Sequence, residues 1–90
     1  MATTLDYLEY VLDLLNDFKD ITYKKMMGEF LLYKNSIIFG GIYDNRFLIK
    51  KNPILDKYNL KEEIPYQGAK PMLLLDIDDK ELIKEIIEKI

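Results

Sequence analysis

The sequence predicts an α+β domain, a two-layer sandwich in which N- and C-terminal helices pack an antiparallel sheet made of a four-strand meander plus one later strand. Three observations lead there. Apolar residues recur at helical spacing near both ends, at Leu5, Leu8, Val11, Leu12, Leu15 and Phe18, and again at Leu82, Ile83, Ile86, Ile87 and Ile90. Between Ile21 and Lys50 the period changes to two or the residues become wholly apolar, with polar turn signals dividing the run. Connections this short make the strands antiparallel neighbours, because a parallel return needs a crossover of about a dozen residues or more.

The first helix is expected from about Thr4 to Lys19, with Thr3 and Asp6 resembling a capping box that uses a shorter acid. Ile21 to Met26 reads as a strand. Gly28 breaks the run, and Glu29 to Tyr33 resumes it. Lys34-Asn35-Ser36 is a polar connection in which Asn35 tolerates positive φ, and Ile37 to Tyr43 is apolar enough for a central strand. Gly40 and Gly41 inside that strand mark a bulge or the close approach of another segment, most simply the first helix crossing the sheet. Asp44-Asn45 is a two-residue turn signal leading into Arg46 to Lys50.

Asn52-Pro53 ends the sheet and opens a short helix through Ile54, Leu55 and Tyr58, with proline at its first position. Ile64 to Pro71 holds two prolines and a glycine and reads as an ordered loop. Met72 to Asp76 suits a buried strand. Asp78-Asp79-Lys80-Glu81 then supplies a capping box for the last helix.

Ninety residues make one domain, spanning 1–90, with no repeat or linker inside it. No stretch approaches the roughly 20 apolar residues of a transmembrane helix. The first residues lack a basic segment ahead of an apolar one, so the expected address is the cytoplasm. Neither histidine nor cysteine is present, which removes disulfides, thiolate metal sites and His- or Cys-based catalysis, and Ser36 lies in a turn with no base beside it. The expectation is a protein that is not an enzyme, with no catalytic residues and no cofactor. Asp76, Asp78, Asp79 and Glu81 resemble a hard-metal cluster, but acids at a helix start serve its dipole, and the glycine of a calcium loop is missing. No metal site is expected.

Two surfaces are candidates for binding. Met26, Met27 and Gly28 at a turn, with Tyr33, offer adaptable apolar contact for a protein partner or a second copy of the chain. Lys24, Lys25, Arg46, Lys50 and Lys51 form an anion or nucleic-acid patch if the first and fourth strands lie close. A pI near 4.9 argues against non-specific nucleic-acid binding and ranks that surface second. Acids are concentrated at the start, where Asp6, Glu9, Asp13, Asp17 and Asp20 face Lys19 alone.

Three runs carry a family resemblance: Met26-Met27-Gly28-Glu29-Phe30-Leu31-Leu32-Tyr33, Asp44-Asn45-Arg46-Phe47-Leu48-Ile49-Lys50 and Tyr66-Gln67-Gly68-Ala69-Lys70-Pro71-Met72. Together they resemble the N-terminal domain family of TfoX, also called Sxy, the bacterial competence regulator. Glu29 and Leu31 stand where that family usually has glycines, which is similar to its short, stand-alone branch. The resemblance implies a sandwich similar to the type III secretion chaperones, no catalytic residues, and a regulatory role exerted through a transcription-related protein partner.

Overall fold

The computed structural model describes residues 3–75 and 78–90. Among them the chain runs α1 (Leu5–Leu14), β1 (Ile21–Met26), β2 (Glu29–Lys34), β3 (Ile37–Ile42), β4 (Phe47–Ile49), a 3₁₀ helix (Pro53–Tyr58), β5 (Glu62–Glu63), β6 (Met72–Leu74) and α2 (Lys80–Glu88). The strands form one sheet in the order β1-β2-β3-β4-β6-β5, each pair antiparallel. The four-strand meander and the later strand are as expected. Strand β5 is an addition: glutamates have poor strand propensity, and only pairing with Leu73 and Met72 draws Glu62 and Glu63 into the sheet.

Three two-residue turns build the meander. Met27 and Gly28 have φ of 51° and 84°, Asn35 and Ser36 53° and 67°, Asp44 and Asn45 52° and 57°. Positive φ at both central positions is the signature of the type I′ turn, whose twist matches that of the flanking strands. The 3₁₀ helix also follows its local signals: the Asn52 side chain accepts from the Ile54 N–H at 3.1 Å, with Pro53 at the start.

Alternation along the strands separates two faces. Phe30, Leu32, Ile42, Phe47, Ile49 and Leu73 join Leu8, Val11 and Leu15 from the α1 region and Ile83, Ile86 and Ile87 from α2 in one buried cluster. Burying each large side chain contributes about 1.5–3 kcal/mol, so this layer supplies most of the driving force. Polar ties then fix α2 over the sheet. Lys34 Nζ donates to the Ile87 and Ile90 carbonyls at 2.8 and 2.9 Å, capping the helix end where a cation complements the dipole. Lys80 reaches Asn16 Oδ1 at 2.8 Å, and the Tyr58 hydroxyl donates to Glu85. Burial and that hydrogen bond push the Tyr58 phenol up to about 12.

Several local expectations need correction. Helix α1 ends at Leu14 rather than Lys19; Asn16 and Asp17 are weak helix formers, and Leu15 and Phe18 reach the core from the turn that follows. Leu5 is off the core stripe, 67% exposed. The caps are Thr4 and Asp79, not Thr3 and Asp78: Thr4 accepts from the Tyr7 N–H, and Asp79 accepts from those of Glu81 and Leu82. Strand β6 stops at Leu74, and Asp76 lies outside the described residues.

The glycine pair is explained by the sheet and not by α1. A Cβ on Gly40 would stand 2.3 Å from the Leu48 carbonyl oxygen, and one on Gly41 2.7 Å from the Phe30 oxygen and from the Tyr43 ring. The strand backbones themselves exclude a side chain. Beside Gly40 the β2–β3 register slips, pairing Leu32 with Gly40 but Tyr33 with Ile38, so that Phe39 is an extra residue turned into the core.

Candidate functional site

Two hairpin turns, Met27-Gly28 and Asp44-Asn45, stand side by side at one end of the sheet, and the segment entering α1 ties them together. Glu29 Oε1 accepts from the Thr3 N–H at 2.9 Å and the Thr3 hydroxyl at 2.7 Å, while Oε2 accepts from the Asp44 N–H at 3.0 Å. Asn45 Oδ1 accepts from the Thr4 N–H at 3.0 Å, and the Gly28 carbonyl accepts from the Thr3 N–H at 3.0 Å. Glu29 is thus a clip between chain start and both turns. Sequence reasoning registered it only as a departure from glycine.

Beyond the clip projects Met27, 95% exposed, beside Met26 at 42%; Tyr23, 50% exposed, lies further along β1 with its ring edge-on to that of Phe30 at 5.8 Å. Left-handed backbone costs a non-glycine residue about 1–2 kcal/mol, and asparagine, aspartate or glycine is the usual occupant of such a turn. A large apolar side chain therefore sits where conformation disfavours it and solvent surrounds it. Tyr33 does not share this patch: in register with Thr22 and Ile38, it lies about 13 Å along β2 from Glu29.

Tyr33 belongs instead to the sheet face turned away from the helices. Tyr43 is buried there, its ring over Gly41 and 6.1 Å from the ring of Tyr66. Burial raises the Tyr43 pKa, and Tyr66, Glu29 and Tyr33 add to it. The loop from Ile64 to Pro71 is held over this face by Arg46, which donates to Glu63 Oε1 at 2.8 Å, the Ile64 carbonyl at 3.2 Å and the Pro65 carbonyl at 3.1 Å. Its Nε also donates to the Tyr43 carbonyl at 3.2 Å. The Arg46 guanidinium beside Glu63 holds that carboxyl below the ordinary value of 4.5, against a smaller opposing effect of burial and with help from Lys61. Between loop and sheet lies an open cleft of about 560 Å³.

The five basic residues do not form one patch. Their grouping requires β1 beside β4, yet β2 and β3 lie between, a separation of about 14 Å. Lys24 and Lys25 sit on β1, the long free edge, where lysine discourages edge-to-edge pairing. Arg46 is consumed by the loop, and Lys51 pairs with Glu62 at 3.0 Å. Lys50 lines the cleft. Of the acids near α2, Asp78, Asp79 and Glu81 are described, and among the described residues no three His, Cys, Asp or Glu converge as metal ligands. No helix among these residues is long and apolar enough to cross a membrane.

No family model matches the chain. A protein of Spirochaeta aurantia, an uncharacterized 12.7 kDa protein in the trpE 5′ region, is 32% identical over 78 residues, which cover 84% of this chain and 68% of that protein. The chain belongs to the same family as the spirochaete protein. That kinship extends over most of the fold described above, and its name places a gene without naming an activity.

Proposed function

We propose that this chain is a non-catalytic, cytoplasmic protein-interaction module whose contact surface is the tip Met26-Met27-Gly28 with the adjoining free edge of β1. The observation that carries the reading is Met27: strained in backbone, 95% exposed, and without a packing role among the described residues. Such a residue costs stability unless something covers it. Among the described residues β1 is an edge strand, whose outer backbone groups suit a partner strand, and Tyr23 on it is half-exposed. A second copy is the simplest such partner, since two-fold pairing is the commonest assembly.

Membership of the short branch of the TfoX N-terminal family is part of this proposal, supported by the three runs quoted above and by the order of the elements. On that reading the partner is transcription-related and the module regulatory. The test compares Met27→Glu with Ile37→Glu, another exposed apolar site, at the start of β3 and 69% exposed. Sedimentation would report self-association, and nuclease-treated pull-down a foreign partner. Met27→Glu is expected to weaken association at least about tenfold, as burying a charge in an apolar contact does, and Ile37→Glu to leave it intact. Equal effects of the two, or none from Met27→Glu, would remove the tip from the interface.

A further inference from the structure

The cleft beneath the Ile64–Pro71 loop reverses the sign of the molecule. The chain carries a net charge of −3, yet among the described residues the cleft is lined by Lys50, Lys51 and Lys70 and by no carboxylate. Lys51 is neutralised by Glu62, whereas neither Lys50 nor Lys70 has an ion pair among the described residues. Between these cations the wall is apolar and aromatic: Ile38, Tyr43, Met72 and the outward ring of Tyr66, 60% exposed. A volume of about 560 Å³ falls within the range typical of small-molecule sites, and an apolar floor with a few charged groups at its edge is their usual composition.

The loop that makes the cleft is held in place by specific contacts. Three hydrogen bonds from Arg46 to Glu63, Ile64 and Pro65 pin its first residues. Gly68 takes φ of 88° with open space around it, so glycine there serves the path of the loop and not its packing.

We propose that this cleft binds a small organic anion, a planar apolar body carrying a carboxylate or phosphate, with the body against Tyr66, Tyr43 and Met72 and the anionic group between Lys50 and Lys70. A lysine pair recognises either oxyanion as a point charge, and an exposed tyrosine ring accepts a planar group without reading its identity. The site is independent of the Met27 tip.

Amide chemical-shift titration of the intact chain tests this with matched probes. Adenosine 5′-monophosphate is paired with adenosine, and 2-naphthoate with 2-naphthamide, so that each anion has an uncharged control. At least one anion is expected to shift Lys50, Tyr66, Ala69 and Lys70 and to bind at least about tenfold more tightly than its control. Lys50→Gln with Lys70→Gln, both exposed and unpaired, is expected to abolish that advantage without unfolding the chain. Which anion binds tells phosphate from carboxylate. Absence of binding by both anions up to about 5 mM, where affinity falls near the weak limit of specific recognition, overturns the site. So does equal binding of the neutral controls, or binding unchanged in the double variant.

Discussion

The two neighbouring turns at one end of the sheet solve the same backbone problem with opposite chemistry. Asp44-Asn45 uses residues that tolerate positive φ, and both are recruited: Asn45 accepts from the Thr4 N–H, and the Asp44 N–H reaches Glu29. Met27-Gly28 places methionine at a φ of 51° and leaves its side chain in solvent. Fold stability accounts fully for the first turn and only for the glycine of the second. Met27 opposes its local conformation without gaining a contact among the described residues, which is what the proposed contact at the tip would explain.

Breaking the clip between the turns should have the largest effect. Glu29→Ala removes the acceptor of three donors, Thr3 N–H, Thr3 hydroxyl and Asp44 N–H, and is expected to cost about 2–4 kcal/mol in urea unfolding. That is a large share of the roughly 5–13 kcal/mol expected for a domain of this length. A loss below about 0.5 kcal/mol, within the range of ordinary surface substitutions, would mean that the turns do not depend on it.

The two turns should then respond with opposite signs. Asn45→Ala loses both a residue suited to positive φ and the partner of the Thr4 N–H, for an expected loss of about 1–2 kcal/mol. Met27→Asn relieves strain and is expected to gain about 0.5–1 kcal/mol while association through the tip weakens. Destabilisation by Met27→Asn would show that methionine packs on the fold after all, and the contrast between the turns would fail.

The smallest effect concerns the other clamp of this end, Arg46 on Glu63. The Glu63 pKa lies below 4.5 in the folded chain, so its contribution is present above that value and is lost as pH falls through the depressed folded value. Between about pH 5 and pH 3 the parent should therefore lose more stability than Glu63→Gln, measured by urea midpoint at each pH. Parallel curves for the two would sever the ion pair from stability.

Much of this was readable along the chain. The helix periods, the three turns, Asn52-Pro53 and the strand run Ile37–Ile42 all follow from interactions among residues close in sequence, and the element order follows from them. Short polar connections also fixed the antiparallel meander. The site was far less legible. Tyr33 is expected beside Met27 on one contact surface, yet strand geometry carries it away along β2. Arg46 reads along the chain as a free cation, yet besides the Tyr43 carbonyl its guanidinium is taken up by partners 17 to 19 residues on.

By itself the sequence determined the class of fold, the lack of histidine and cysteine side chains, and the residue types available for contact. Tertiary structure decided which of those residues meet. It set β2 and β3 between β1 and β4, dividing the basic residues, and brought β6 and its preceding loop against the β3–β4 hairpin to make the cleft. It also turned Glu29 into a clip for Thr3, 26 residues away. The reason is physical: period and turn chemistry act over a few residues, whereas register, face and long-range polar partners exist only once the chain has closed on itself.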